Sequence, residues 1–291
     1  MSTNNPHNGL SQPFNIVSWV EFGIAFLIFA RFVTCWKIID HFPIDFHLAM
    51  VTFILGTASN VMLTIGAAYG IGIPRFILTS NQIYNALLYG WVNQFMALLV
   101  IGLGKVTIVA FLLHIQGYQT RPRTILLWFI AITGLVINII AAVLVMVQCF
   151  PIQKLFDPSI PGRCPGRKTL QVFGYVQGAV SALYDIMLAV YPISIFWGVQ
   201  MFSTSTKIGL CMLMGFGIVA GVCAAIKTAK LRLLTGPSDS TSTMAEVIVW
   251  NQTEMWVVFI SSCIPPTRIF FRRLFERSNA GVHCAIERLS G

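Results

Sequence analysis

The sequence predicts an all-α, polytopic membrane protein folded as a bundle of seven transmembrane helices. Charged residues make up only 10% of the chain, against about 25% in ordinary soluble domains. Residues 46–74 contain no Asp, Glu, Lys or Arg, and neither do residues 124–153. A helix needs about 20 apolar residues to cross the hydrocarbon core of a bilayer, so uncharged runs of this length indicate membrane spans.

Seven apolar segments define the predicted helices in chain order. Their bounds are Phe14–Trp36, Phe46–Ile71, Ala86–His114, Thr124–Cys149, Val172–Trp197, Ile208–Leu231 and Met244–Ile264. None of them alternates with the two-residue period of a membrane β-strand, which excludes a barrel. The predicted organisation is a short N-terminal tail (1–13), a seven-helix membrane domain (14–264) and a basic C-terminal tail (265–291).

Basic residues indicate membrane lipid as a partner rather than nucleic acid. The net charge is +9, but the lysines and arginines are scattered over several loops. The one dense cluster, residues 268–277, interleaves arginines with aromatic and aliphatic residues. That pattern predicts a short amphipathic helix lying on an anionic cytoplasmic leaflet.

The positive-inside rule and two cysteines predict the orientation. With the N-terminus outside or lumenal, ten lysines and arginines fall inside and eight outside. The protein would then lie in the plasma membrane or an endomembrane. Cys149 and Cys164 would lie on the outer side, where an oxidising compartment permits a disulfide. Spacing alone leaves two unrelated thiols as the alternative.

Ionisable residues within the predicted helices mark the candidate site. Lys105, Asp185 and Glu254 lie on helices three, five and seven, which run in the same direction, at similar depth. Charges inside a bilayer are costly, so they predict a shared cavity that binds a ligand, lined also by Asn93 and Asn251. The alternative is that these groups only join helices and that Lys105 reaches back to the cytoplasmic surface.

Helix six contains a pair of closely spaced glycines, and the chain contains no complete catalytic motif. Gly217 and Gly221 are spaced by one helical turn and predict a face for close helix packing. The chain lacks a His-Glu-x-x-His, a Gly-x-Ser-x-Gly and a phosphate-binding loop, so no catalytic motif is complete. We therefore predict neither a metal site nor a cofactor.

Several short motifs resemble those of the fungal rhodopsin-domain integral membrane proteins, a group that includes a satratoxin-cluster membrane protein and relatives of Pth11-like receptors. The resemblance runs from about residue 31 to residue 273 and is carried by Tyr69-Gly-Ile-Gly72, Gly104-Lys-Val-Thr107, Gln148-Cys-Phe-Pro151, Gly162-Arg-Cys164, Ser181-Ala-Leu-Tyr-Asp185 and Trp250-Asn-Gln-Thr-Glu254. It implies a seven-helix bundle with an outside N-terminus and a disulfide-bearing loop. It also implies a setting in fungal secondary metabolism or surface sensing. Helix seven has no lysine, which excludes a retinal Schiff base at the usual place.

The sequence is compatible with three functions. The first is a protein of secondary-metabolite biosynthesis whose bundle binds an apolar metabolite. The second is a seven-helix, G-protein-coupled-receptor-like sensor of an external cue, although helix three lacks an Asp-Arg-Tyr-type switch and helix seven lacks Asn-Pro-x-x-Tyr. The third is a membrane-embedded isomerase or cyclase that uses Asp185 or Glu254 as its catalytic general acid.

Overall fold

The computed structural model describes residues 11–37, 44–73, 77–116, 121–157, 159–196, 204–231 and 244–263. Most of the N-terminal tail and the whole C-terminal tail, including the predicted amphipathic helix at 268–277, lie outside these ranges.

Seven α-helices account for most of the described residues. They are α1 (Ser11–Lys37), α2 (Ile44–Tyr69), α3 (Ser80–Gln116), α4 (Arg121–Met146), α5 (Gly166–Phe196), α6 (Thr204–Leu231) and α7 (244–263). Each coincides with one predicted segment to within about half a dozen residues at either end. The predicted all-α membrane bundle is confirmed.

Four of the helices are long and apolar enough, by length and composition, to cross a bilayer. Their candidate spans are Phe46–Tyr69, Ser80–Leu113, Pro122–Met146 and Gly166–Tyr191. Residues Ile16–Ala30 of α1 form a shorter apolar stretch. The number of crossings and the orientation therefore stay predictions, whereas the membrane character of the bundle does not depend on them.

Local capping fixes the link between α2 and α3. Gly70 and Gly72 have φ values of 106° and 90°, a region that residues with a side chain rarely adopt. The Ile71 N–H donates to the Gly66 carbonyl at 3.1 Å and the Gly70 N–H to the Ala67 carbonyl at 3.1 Å. These two bonds form the Schellman motif that ends many helices.

α3 begins with a capping box. The Gln82 N–H donates to the Thr79 hydroxyl at 3.4 Å, and the Thr79 N–H donates to Gln82 Oε1 at 2.9 Å. Such reciprocal bonds satisfy N–H groups that the first helical turn leaves without partners. The helix therefore starts at Ser80, six residues before the predicted Ala86.

A disulfide closes the loop between α4 and α5. Cys149 and Cys164 are bridged, as predicted. Phe150 and Arg163 exchange backbone hydrogen bonds of 2.9 and 3.0 Å beside the bridge. The Gly166 N–H donates to the Gln148 carbonyl at 3.1 Å. The end of α4 is thus held directly against the start of α5.

α3 and α7 form the centre of the bundle. The membrane segment of α3 is 67% buried, against 33–39% for the other three candidate spans. Apolar residues of α7 belong to one buried cluster with residues of α1, α2 and α3, and to a second cluster with residues of α3, α4, α5 and α6. Polar groups on α3 and α7 are consequently kept from lipid by the surrounding helices.

α5 and α6 approach closely at the predicted small-residue face. A Cβ added at Gly217 would lie 2.6 Å from the Ala189 Cβ and 3.0 Å from the Asp185 carbonyl oxygen. At Gly221 the nearest atom would be 3.7 Å away. Close packing is confirmed at Gly217, where an added Cβ would collide with α5, whereas at Gly221 it would make an ordinary van der Waals contact.

Candidate functional site

An ion pair joins α3 to α5 inside the bundle. Lys105 Nζ lies 3.0 Å from Asp185 Oδ1, and both residues are almost fully buried. The uncharged run of α3 carries this lysine into the core, where it cannot reach an aqueous surface. The alternative that Lys105 extends to the cytoplasmic surface is therefore excluded by its position.

Ser181 connects this pair to α7. Lys105 Nζ donates to the Ser181 hydroxyl at 2.7 Å and to the Ser181 carbonyl at 2.9 Å. The same hydroxyl donates to Glu254 Oε1 at 2.7 Å. Because Ser181 lies one helical turn before Asp185, α5 presents both groups on one face.

A second lysine completes the arrangement. Lys227 Nζ, on α6, lies 2.5 Å from Glu254 Oε2 and 3.1 Å from Asn251 Oδ1. Lys227 is 5% exposed and Glu254 is fully buried. We call Lys105, Asp185, Lys227 and Glu254 the four-charge network. Two ammonium groups face two carboxylates, so the network is neutral overall when all four are ionised.

Charge balance is what makes this network tolerable in a membrane protein. A buried charge without a partner costs several kcal/mol, whereas paired and hydrogen-bonded charges offset much of that cost. One oxygen, Asp185 Oδ2, has no hydrogen-bond partner among the described residues. The ion pairs and hydrogen bonds of the network join α3, α5, α6 and α7, in addition to the apolar packing between these helices.

A pocket lies beside the network, near the end of the bundle that carries the disulfide. It is bounded by α3, α4, α5, α6 and α7, and we call it the five-helix pocket. Its thirteen lining residues are Trp91, Gln94, Leu98, Ala141, Val145, Leu170, Gly174, Gln177, Lys227, Thr228, Met244, Val247 and Ile248. About 60 Å³ is open to the centre of a water-sized sphere, and roughly 10–15 Å³ of such space holds one water.

Lys227 links the pocket to the network, since it lines the first and belongs to the second. Nine of the thirteen lining residues are apolar or glycine. The polar ones are Gln94, Gln177, Lys227 and Thr228. Gln177 Nε2 donates to Asn138 Oδ1 at 3.1 Å, and the Thr228 hydroxyl donates to the Ala224 carbonyl at 2.6 Å.

The residues predicted from the sequence divide into two groups. The network brings together four of them, Lys105, Asp185, Glu254 and Asn251. Asn93 lies elsewhere, because its side-chain oxygen accepts a 2.6 Å hydrogen bond from the Ser59 hydroxyl of α2. Neither Asn93 nor Asn251 lines the five-helix pocket.

Lys227 is the member of the four-charge network that the sequence analysis did not predict. Its position near the predicted end of helix six suggested an exposed lysine on the outer side. The available signal was charge balance, since Lys105 alone leaves one of two intramembrane carboxylates without a cation. A lysine stem of four carbons lets Lys227 reach inward from the helix end to Glu254.

A separate polar cluster joins α1, α2 and α7. Ser18 donates to Asn60, and Gln252 Nε2 donates to Asn60 Oδ1 at 3.3 Å. The Thr253 hydroxyl donates to Glu21 Oε1 at 2.8 Å. These bonds attach α1 to the bundle core. Among the described residues no group of three His, Cys, Asp or Glu side chains is placed to hold a metal ion.

A family model assigns the chain. The fungal rhodopsin domain model matches residues 30–273 of the 291. The chain belongs to the fungal rhodopsin domain family. The matched range of this fungal rhodopsin domain contains the disulfide, the five-helix pocket and all members of the four-charge network.

Two curated relatives are similar to this fungal rhodopsin domain protein. "Wortmanamides biosynthesis cluster protein C" of Talaromyces wortmannii is 22% identical over 267 residues, which cover 90% of this chain and 70% of the relative. "Fugralins biosynthesis cluster protein 2" of Gibberella zeae is 27% identical over 150 residues, covering 50% of this chain and 36% of the relative. The matched part thus spans about a third of the Gibberella protein. No solved structure matches this chain.

Proposed function

We propose that this protein acts in a fungal secondary-metabolite pathway, where it binds an apolar small molecule in the five-helix pocket. The pathway assignment is supported by the names of the two relatives, both proteins of biosynthesis clusters. The binding role is supported by the pocket itself. It combines a mostly apolar wall with a few polar groups, which is the usual composition of a small-molecule site.

The observation that carries the proposal is the position of Lys227. A lysine that lines an apolar pocket would normally be expelled towards water, but Glu254 and Asn251 hold this one in place. The network offsets the free-energy cost of burying the Lys227 charge, so the pocket keeps a fixed charged group in a mostly apolar wall. Such a group orients a ligand that apolar contacts alone would bind without direction.

Acid catalysis receives less support from the same geometry. Asp185 lies against Lys105, and Glu254 lies against Lys227, at distances of 3.0 and 2.5 Å. A general acid must reach the atom that it protonates, and neither carboxylate belongs to the wall of the pocket.

Co-purification of a small molecule tests the proposal. The protein, produced in the fungus that carries its gene, would be extracted and analysed by mass spectrometry for bound metabolites. Val145→Phe should abolish the bound molecule, because Val145 is 3% exposed and lines the pocket. Val143→Phe is the matched control, since Val143 lies on the same helix but is 49% exposed. Equal metabolite recovery from both variants would refute the pocket as the site.

Metabolite profiles of a deletion strain separate the three functions. A lower product titre without a new intermediate is expected for a protein that binds or delivers a metabolite. An accumulating intermediate would favour the isomerase or cyclase. An unchanged profile together with altered responses to external cues would favour the receptor-like sensor.

A further inference from the structure

Two polar groups of the five-helix pocket have unused hydrogen-bonding capacity. An ammonium group carries three N–H donors. The described residues give Lys227 two acceptors, Asn251 Oδ1 and Glu254 Oε2. Gln94 Oε1 is buried and has no hydrogen-bond partner among the described residues. Two residues that line the pocket therefore have one donor and one acceptor to spare between them.

Lys227 is charged and Gln94 is neutral, and this difference restricts the net charge of the ligand. Lys227 is already neutralised by Glu254, so an anionic ligand would add a third negative charge beside two ammonium groups. A cationic ligand would meet the Lys227 ammonium directly. Either would leave an uncompensated charge inside the bundle, which is unfavourable away from water.

We infer that the five-helix pocket selects an electrically neutral apolar molecule that carries both a hydrogen-bond acceptor, for Lys227, and a donor, for Gln94, as an amide does. This inference rests on the proposed function and adds the chemical class of the ligand. An unpaired buried polar group is costly, so a molecule that satisfies both groups gains over one that satisfies one or neither.

A series of probes of nearly equal size tests the inference. Hexanamide offers an acceptor and a donor, 2-heptanone an acceptor only, and heptane neither. Hexanoate and hexylammonium supply the two charges. Binding would be measured on the purified full-length protein as the concentration-dependent rise of its thermal unfolding midpoint, which yields a Kd for each probe.

Hexanamide should bind about five- to tenfold more tightly than 2-heptanone, the difference expected for one additional buried hydrogen bond. Gln94→Leu should remove that difference and leave 2-heptanone binding unchanged. Gln171→Leu is the matched control, because Gln171 lies outside the pocket, bonded to Tyr175 at 3.3 Å, and it should preserve the difference.

The preference for 2-heptanone over heptane reports on Lys227. It should disappear in Lys227→Met/Glu254→Gln, which removes one charge of each sign and so avoids a lone buried carboxylate. If this double variant does not fold, the Gln94→Leu comparison still decides the inference by itself.

The possible outcomes are distinguishable. If heptane, 2-heptanone and hexanamide bind equally and Gln94→Leu changes nothing, the pocket binds apolar molecules but the inferred ligand class is wrong, and water satisfies the spare groups. If hexanoate or hexylammonium binds more tightly than hexanamide, the neutral class is refuted. If no probe shifts the unfolding midpoint in wild type, both the proposed pocket function and the inference fail.

Discussion

The hydroxyl of Ser181 donates a 2.7 Å hydrogen bond to Oε1 of Glu254, and so joins two ion pairs that would otherwise be separate. The hydroxyl oxygen of Ser181 also accepts a 2.7 Å hydrogen bond from Lys105 Nζ. One small side chain on α5 therefore lies between the Lys105–Asp185 pair and the Lys227–Glu254 pair. The four charges form one unit, and changes at any member should affect the others.

Removing the Lys227 charge should destabilise the protein strongly. Lys227→Met leaves Glu254 buried without its cation, and breaking a buried pair in this way costs about 3–5 kcal/mol. Lys227→Met/Glu254→Gln should recover much of that loss, because no lone charge remains. Denaturant unfolding in detergent measures both variants. A double variant that is as unstable as the sum of its single changes would contradict the pairing.

Ser181→Ala should be destabilising by about 1–3 kcal/mol, since it removes an acceptor from Lys105 and a donor from Glu254. Ser261→Ala is the matched control. Ser261 is similarly buried, but the one hydrogen bond of its hydroxyl to a described residue goes to the Val257 carbonyl of its own helix, at 2.8 Å. A smaller loss at Ser181 than at Ser261 would show that the hydroxyl does not connect the ion pairs.

Gly217 and Gly215 should respond to alanine with opposite signs. A Cβ at Gly217 would overlap Ala189 at 2.6 Å, and overpacking of this kind costs about 1–3 kcal/mol. Gly215 has nothing within 4 Å of an added Cβ, so alanine there should stabilise the helix by up to about 1 kcal/mol. Thermal unfolding midpoints of the two variants provide the comparison.

The Cys149–Cys164 bridge should contribute about 3 kcal/mol, as expected for a loop of about 15 residues in the unfolded chain. Cys149→Ser/Cys164→Ser should therefore unfold at lower denaturant concentration than wild type. Non-reducing peptide mass spectrometry of freshly isolated membranes checks the bridge itself. Recovery of both cysteines as free thiols would refute it, together with one argument for the orientation.

We predict seven crossings, which would put the two chain ends on opposite sides of the membrane, with the N-terminus outside. Tags at Ser2 and Gly291 in sealed vesicles would report this through their accessibility to protease. Opposite accessibility is the expected result. Exposure of both tags on one side would mean an even number of crossings. In that case at least one of α1, α6 and α7, which are not among the four candidate spans, would not cross the bilayer.

Sequence reasoning predicted the helices well because long uncharged runs have one physical explanation. It failed at the helix ends, which depend on local bonds that hydropathy does not register. The capping box at Thr79 and Gln82 was readable from the sequence and would have placed the start of α3 correctly. By contrast, the end of α4 at Met146 depends on the disulfide and on the Gly166–Gln148 contact across the loop.

The candidate site was predicted in part for a similar reason. The energetic cost of intramembrane charge identified Lys105, Asp185 and Glu254, and helix direction put them at a common depth. Sequence gives no rotation of one helix against another, so it could not separate Asn93, which faces Ser59, from Asn251, which contacts Lys227. Nor could it show that a lysine near a helix end turns inward.

The order in which the four-charge network is synthesised has a consequence for biogenesis. Helices emerge from the ribosome in sequence, so Lys105 and then Asp185 enter the membrane, followed by Lys227, while Glu254 arrives only with α7. A nascent chain that stops before α7 carries an intramembrane lysine without its carboxylate. Such an uncompensated charge is unfavourable in the membrane, so the network becomes neutral only once α7 has joined the bundle.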